Sequence, residues 1–251
     1  MTIFYFTATG NSLAVAKKIG GELVSIAQVV DSDNHCYKDD AIGIVFPIYA
    51  LGMPKIVKRF LDAAKFETDY LFAIGTYGNM AGAAMHSLQK QALKNGYSFS
   101  YTNQILMLDN FLNMFEMEEQ LAKLPNKKVD EHMEKIVKDI KERKKFHVPA
   151  SIGSRTLSSV LGTVMPLKGD YAKKYIVDDN CNICGTCAKV CPTKNIDVTD
   201  KVRFHKQCEA CMACLHLCPK TALHTKSEKS DKRWRHPDVS LGEIIEANNQ
   251  L

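Results

Sequence analysis

Thr2-Ile3-Phe4-Tyr5-Phe6-Thr7-Ala8-Thr9-Gly10-Asn11-Ser12 changes character halfway along. Its first five residues are β-branched and aromatic, the composition of a strand. The next six are small and polar around one glycine, and Leu13, Ala16, Lys17 and Leu23 then bracket a helical segment beginning near Ser12. The unit reads strand, polar loop, helix, and the rest of the first half repeats it.

Leu23 to Val30 is expected as a strand, and Ala41 to Phe46 is a continuous apolar run of the kind buried on both faces of a parallel sheet. Pro54 marks the start of a helix carrying Ile56, Val57, Phe60, Leu61 and Ala64 on one face. Tyr70 to Ile74 predicts a further strand, Gly75-Thr76-Tyr77-Gly78 a turn, and Ala81 to Leu93 a helix stopped by Asn95-Gly96. A fifth strand is expected around Gln104 to Leu108. Val129 to Lys145, with Met133, Ile136, Val137 and Ile140 on one stripe, gives a last helix. Strands alternating with helices imply an α/β doubly wound parallel sheet of five strands, with helices on both faces.

The second half is marked by cysteine. Eight of the nine cysteines form two copies of C-x2-C-x2-C-x3-C-P: Cys181, Cys184, Cys187, Cys191 with Pro192, and Cys208, Cys211, Cys214, Cys218 with Pro219. The copies are offset by 27 residues. Thiolates at this spacing wrap three sulfurs around one face of an iron–sulfur cube, and a fourth must come from elsewhere. Zinc also takes four cysteines, but its usual arrangement is two C-x2-C pairs on either side of a longer loop. Cys36 has no evident partner and reads as a free structural thiol.

At 251 residues and 45% hydrophobic, the chain has room for one ordinary domain and a small second one. The organisation read from composition is 1–147 for the sheet domain, 148–170 for a Ser/Gly-rich connection, 171–226 for the cysteine domain and 227–251 for a tail. Leu157, Val160, Leu161 and Val164 predict a helix within the connection. Ser240 and Glu243 form a capping box opening a tail helix that is expected to dock on a domain, with Trp234 as the anchor of the tail. No apolar run is long enough to span a membrane, and the first residues lack a basic signal region, so membrane insertion and secretion are not expected. Cysteines committed to metal fit a reducing cytoplasm.

The loop from Thr7 to Ser12 resembles the flavodoxin phosphate loop Ser/Thr-x-Thr-Gly-Asn-Thr, matching at Thr7, Thr9, Gly10 and Asn11, with Ser12 keeping the last hydroxyl. The cysteine runs resemble those of bacterial two-cluster ferredoxins. Together, over nearly the whole chain, the arrangement is similar to the EFR-type ferredoxin family, in which a flavodoxin-like domain is fused to a two-[4Fe-4S] ferredoxin domain.

That resemblance implies sheet order 2-1-3-4-5, a small α+β ferredoxin-like domain, and three cofactors: FMN and two [4Fe-4S] clusters. It implies crossed ligation, with Cys181, Cys184, Cys187 and Cys218 on one cluster and Cys208, Cys211, Cys214 and Cys191 on the other. FMN would lie in the loops Thr7-Ala8-Thr9-Gly10-Asn11-Ser12, Pro47-Ile48-Tyr49-Ala50-Leu51-Gly52 and Thr76-Tyr77-Gly78-Asn79, at the carboxyl ends of the strands. Hydroxyls and helix N-terminal N–H groups would hold its phosphate without Lys or Arg. Tyr49 and Tyr77 are candidates to stack on the ring, or else they pack locally. These loops lack the usual Trp and an acidic rim.

The formal charge of +5 suggests nucleic acid or anionic membrane. Two loaded clusters and a flavin phosphate would bring the holoprotein near neutrality, at about −1, and remove that argument. No catalytic residue is assigned. His86 and His132 read as surface or helix-packing residues, and His205 and His216 as exposed flanks of the cysteine runs.

The expected activity is electron relay between clusters and FMN, in exchange with a ferredoxin-like or reductase partner. An FMN-dependent reductase of a quinone, nitro compound or free flavin is the alternative, and an oxidation-sensing scaffold a third reading. No nucleic-acid or membrane partner is expected.

Overall fold

The computed structural model describes residues 1–164 and 171–249. In chain order the first half contains β1 (Thr2–Tyr5), α1 (Asn11–Ile19), β2 (Glu22–Ser25), α2 (Ile26–Val29), β3 (Cys36–Lys38), β4 (Ala41–Pro47), α3 (Lys55–Ala63), β5 (Lys65–Glu67), β6 (Tyr70–Tyr77), α4 (Ala84–Lys94) and β7 (Tyr101–Leu106). Then come α5 (Met117–Lys123), α6 (Val129–Lys141), β8 (Phe146–His147) and α7 (Ile152–Val164). The central sheet has six strands, all parallel, in the order β2-β1-β4-β6-β7-β8. Its first five strands follow the 2-1-3-4-5 order of flavodoxin-like doubly wound sheets. Strand order reverses at β1, so the crevice beside β1 and β4 is where such a sheet binds a ligand.

Burial follows from sequence as the parallel sheet requires. Every residue of β4 from Ala41 to Phe46 is buried, because helices cover both faces. One face carries Ile56, Val57, Phe60 and Leu61 of α3 and Met85 and Leu88 of α4. The other carries Leu13, Val15 and Ala16 of α1 and Met133, Ile136 and Ile140 of α6.

Several elements depart from the sequence reading. The run Leu23–Val30 is not one strand: β2 ends at Ser25 and the chain turns into α2, with Ile26, Ala27 and Val30 buried against α3's side of the sheet. A short apolar run has no period that separates these outcomes. β6 runs on through Gly75, Thr76 and Tyr77, which read as a turn, because all three stay in register with β7. β7 starts at Tyr101, three residues before the expected Gln104, where a buried phenol bonds Asp139 at 3.2 Å. α4 begins at Ala84 rather than Ala81; Ser158 of α7 accepts the Ala83 N–H at 2.8 Å. α6 ends at Lys141, and Arg143 takes a left-handed φ of 49° before β8, a sixth strand added beyond the five expected. The β3–β5 ladder and α5 were also unread.

The helix expected in the connection forms as α7, though Leu157 and Val160 are largely exposed. The side chains of Leu161 and Val164, and the end of the connection from 165 to 170, lie outside the described residues.

The cysteine region contains β9 (Tyr175–Val177), α8 (Thr186–Lys189), β10 (Ile196–Val198), β11 (Val202–Phe204), α9 (Ala213–His216) and β12 (Leu223–Thr225). β10 pairs antiparallel with β11, and β12 with β9. The 27-residue offset of the sequence is also an offset of backbone. Ile183 and Ala210, Gly185 and Met212, and Lys194 and Thr221 are matched pairs, and all six have positive φ. A left-handed turn at six corresponding places makes the two runs the same local structure twice.

The tail crosses back to the sheet. Ser240 and Glu243 close the capping box that opens α10 (Leu241–Asn248), and its Ile244 and Ala247 are buried in the α1 face. Lys17 of α1 pairs with Glu243 at 2.7 Å, and the Ser25 hydroxyl donates to the Ala247 carbonyl at 2.6 Å. Among the described residues no helix is long and apolar enough to cross a membrane.

Candidate functional site

A large cleft, with about 1470 Å3 of empty space including its open mouth, lies at the carboxyl ends of β1, β4, β6 and β7. Of the residues expected there, Thr7, Ala8, Thr9, Asn11, Ser12, Pro47 to Leu51 and Thr76 to Asn79 line it. Gly10 and Gly52 stand behind the wall. Gly10 has φ 104°, and a Cβ there would come within 2.9 Å of the His236 Cβ, so the loop accepts only glycine where the tail passes. Gly52 pairs with Tyr49 by two backbone hydrogen bonds of 2.9 and 3.0 Å.

Between them Ala50 and Leu51 have φ of 47° and 64°. Two successive left-handed residues are what a type I′ turn demands, normally of Asn and Gly. Holding Ala and Leu there costs on the order of 1 kcal/mol each, a strain typical of ligand-binding loops.

The phosphate-loop hydroxyls are only partly used within the protein. The Ser12 and Thr76 hydroxyls share a bond of 2.9 Å, Thr9 Oγ1 accepts from Asn110 Nδ2 at 2.5 Å, and Asn11 Nδ2 donates to the Leu108 carbonyl at 3.2 Å. Thr7 Oγ1, Asn11 Oδ1 and the Tyr49 hydroxyl are buried without a partner among the described residues. Each such atom costs about 1–3 kcal/mol unless something bonds it. With the N-terminus of α1 behind them, the Thr7 and Tyr49 hydroxyls can donate to an anion that carries several acceptor oxygens, while Asn11 Oδ1 can accept from a ligand N–H or O–H.

Tyr49 meets Phe6 edge-on at 6.4 Å, and burial raises its phenol far above the ordinary tyrosine value. Burial also raises Tyr77. Both line the cleft, as a ring-stacking role requires. The cleft is not without acid: Asp109, missed in the sequence, stands on its wall with a carboxyl raised by burial. It packs against Gly78, where a Cβ would come within 2.3 Å of it. Lys127 beside it donates to the Gly78 and Met107 carbonyls at 2.6 Å each, and burial lowers its ammonium.

The sequence reading also missed the loop after β7. Leu108, Asn110, Phe111 and Phe115 line the cleft, with Met114 half-exposed at its edge. A fifth carboxyl-terminal strand loop in a sheet of this order was the signal available. No pattern pointed to the opposite wall, which comes from the cysteine region: Tyr171, Lys174, Ala210, Cys211 and Met212.

The eight cysteines gather into two nests. Cys181, Cys184, Cys187 and Cys218 line one cavity of about 290 Å3, and Cys191, Cys208, Cys211 and Cys214 line another of about 310 Å3. The fourth cysteine of each run thus crosses to the other run's nest, the grouping the resemblance implied. All nine cysteines are free thiols. The Asn195 N–H donates to Cys191 Sγ and the Ala222 N–H to Cys218 Sγ, both at 3.3 Å, another pair separated by 27 residues. The Ala210 N–H reaches Cys208 Sγ at 3.4 Å.

Burial raises Cys208, pushes Cys187 up to about 11, and drives Cys211 and Cys214 well above the ordinary thiol value. Cys184 is the opposite case, lowered by the Thr186 hydroxyl 3.4 Å away. Among the described residues no group of three or more His, Cys, Asp or Glu side chains is arranged to hold a metal ion. The thiols surround cavities, the disposition that a polynuclear core with sulfur ligands needs.

Of the histidines, His205 is exposed and paired with Asp197 at 2.7 Å. His216, expected to be exposed, is 5% exposed. Its Nδ1 accepts the Trp234 N–H at 3.1 Å, which leaves Nε2–H to donate to the Asn110 carbonyl at 2.7 Å. Burial pushes its value down to about 4, so it is a neutral brace between the second run, the cleft loop and the tail. Trp234 is partly buried against the cysteine-region core, as an anchor should be. Cys36 is exposed.

No protein-family profile matches the chain, and no curated protein does. Among solved structures it is similar to a candidate flavoprotein from Bacteroides uniformis ATCC 8492, at 19% identity, 48% of this chain, 95% of that one and a TM-score of 0.35. It is also similar to two-electron reduced Megasphaera elsdenii flavodoxin, at 20% identity, 41% and 83% coverage and a TM-score of 0.33. The Trp repressor binding protein from Bacillus subtilis matches at 14% identity, 43% and 84% coverage and a TM-score of 0.31.

Proposed function

We propose that the chain is a cytoplasmic electron-transfer protein that binds FMN in the cleft and one [4Fe-4S] cluster in each thiol nest, as the resemblance to flavodoxin–ferredoxin fusions implies. The observation that carries this reading is the shared cleft: a phosphate-type loop on a doubly wound sheet forms one wall, and a cysteine-rich unit forms the other. A flavin accepts one or two electrons and a cluster one, so the pairing suits conversion between one- and two-electron carriers.

The residues fit both groups. Thr7, Asn11 and Tyr49 offer buried polar atoms for an anionic, hydrogen-bonding ligand, and the α1 N-terminus supplies N–H groups for a phosphate. Four thiols and backbone N–H donors per nest suit a cationic iron–sulfur core. The protein holds these groups, excludes water from their buried side and leaves one edge of the cleft open. A ferredoxin-like or reductase protein is the expected partner.

Anaerobic purification with cofactor extraction tests this. About eight irons and one FMN per chain, with visible cluster absorption, are expected; a colourless protein, or one holding zinc, overturns it. The reductase reading is favoured by Met80 and Met114, both more than half exposed where the cleft opens. Steady turnover of a quinone or nitro compound that stops when FMN is removed would select it.

A further inference from the structure

We infer that the two nests are not interchangeable: the Cys191/Cys208/Cys211/Cys214 nest is the inner one, exchanging electrons with the cleft across the wall that Cys211 forms, and the Cys181/Cys184/Cys187/Cys218 nest is the outer one, facing an external redox protein. This rests on the proposed function and assigns an order that the sequence leaves open.

Cys211 carries the first part of the argument. It lines the second nest and the cleft at once, whereas no cysteine of the first nest lines the cleft. Ala210 and Met212 on either side of it also face the cleft, so the second run forms the cleft wall directly. Tyr49 lines the same cleft from the sheet side, in the turn closed by its backbone pair with Gly52.

Two braces fix this contact. The Glu209 carboxylate accepts the N–H groups of Lys55 and Ile56, each at 2.9 Å, and so ties the Cys208–Cys211 turn to the start of α3, just past the Tyr49 turn. His216 ties the far end of the same run to the Asn110 carbonyl on the cleft's other side. Neither brace recurs at the matching positions of the first run, whose tie to the sheet domain is the Asn248 amide bonding the Val190 and Thr7 carbonyls. Asn182 and Lys189, which occupy the matching positions, are exposed.

The first nest opens outward instead. Cys184 is exposed, and Ile183 beside it is an exposed apolar side chain. An outside protein can approach this nest to contact distance without entering the cleft.

In the reducing direction, an external one-electron donor protein of the ferredoxin class is oxidised by one electron at the outer nest. Cys181, Cys184, Cys187 and Cys218 would hold the group that takes up this electron, and Cys191, Cys208, Cys211 and Cys214 the group that would hand it on to a flavin in the cleft, each returning to its starting oxidation state. No protein bond forms or breaks, and the protons of the second reduction come from solvent through the open cleft.

The test uses the cofactor-loaded full chain and its Cys184→Ala and Cys211→Ala variants, each expected to keep one cluster. The EPR signal of the reduced cluster is recorded before FMN is removed, after removal and after it is restored. A reversible shift is expected in Cys184→Ala, which keeps the inner cluster, and none in Cys211→Ala. The reverse pattern, or no shift in Cys184→Ala, overturns the inference. If a variant loses both clusters, a soluble paramagnetic chelate added to the unsubstituted protein replaces it. The chelate should relax the cluster signal that is insensitive to FMN; relaxation of the FMN-sensitive signal instead overturns the order. Iron or flavin missing from the purified chain defeats the proposed function itself, an outcome distinct from both loaded but in the wrong order.

Discussion

The two cysteine runs share a backbone and differ in what surrounds it. Both turn left-handed at matching residues, both enter a one-turn helix, and both receive an N–H bond on the sulfur of the fourth cysteine. Yet Asn182 and Lys189 of the first run meet solvent where Glu209 and His216 of the second meet the sheet domain. Repetition therefore fixes the placement of the thiols, and the residues between them decide which contacts each run makes with the rest of the molecule.

The strongest way to break the contrast is to remove the His216 brace. His216→Ala leaves the partly buried backbone N–H of Trp234 and carbonyl of Asn110 without this partner, at about 1–2 kcal/mol in all. Denaturant unfolding of the loaded protein should show that loss, with FMN affinity falling as the Asn110 loop loosens; unchanged affinity would separate the brace from the cleft. Glu209→Ala removes a carboxylate from two helix N–H groups and should cost about 1–2 kcal/mol, with Glu209→Gln milder. If the substitution left the inner cluster as stable as before, the brace would be only a helix cap.

A smaller effect tests exposure directly. A chelator should strip iron in two phases, the outer nest about tenfold faster, a difference of about 1.4 kcal/mol in local opening. Cys184→Ala should abolish the fast phase, and a single phase from the unsubstituted protein would contradict the contrast.

The smallest effect concerns the tail at His236. Burial lowers this imidazole below its ordinary value. The folded state therefore binds fewer protons than the unfolded one, and the contribution of neutral His236 is intact above about pH 6.5 and is lost as pH falls below it. The protection of the 236–249 amides, relative to their intrinsic exchange at each pH, should fall between about pH 7 and about pH 5, and His236→Asn should flatten that dependence.

Much of this was legible in sequence where chemistry repeats or alternates. The repeated cysteine spacing foretold two matching local structures, the ferredoxin resemblance the grouping of cysteines around two cavities, and the Thr7–Ser12 loop the cleft. Ser240 and Glu243 foretold the tail helix. What escaped was set by distant partners. The end of β2 at Ser25 depends on what Ile26 and Ala27 pack against, and the burial of His216 depends on Asn110 and Trp234. Asp109 and the loop after β7 carry no motif, and only the strand order brings them to the cleft. The far wall of the cleft was invisible for the same reason, because it belongs to residues more than a hundred positions downstream.

Asn248 has a consequence for how the protein is made. Its side-chain amide donates to the Thr7 carbonyl at 3.0 Å and to the Val190 carbonyl at 3.3 Å, linking residues 241 positions apart. During synthesis the Thr7 loop leaves the ribosome long before Asn248 exists, so the sheet forms with its first loop lacking this support. So large a sequence separation makes the contact a late and slow one. Full support of the Thr7 loop is then expected only once residue 248 has been made and docked.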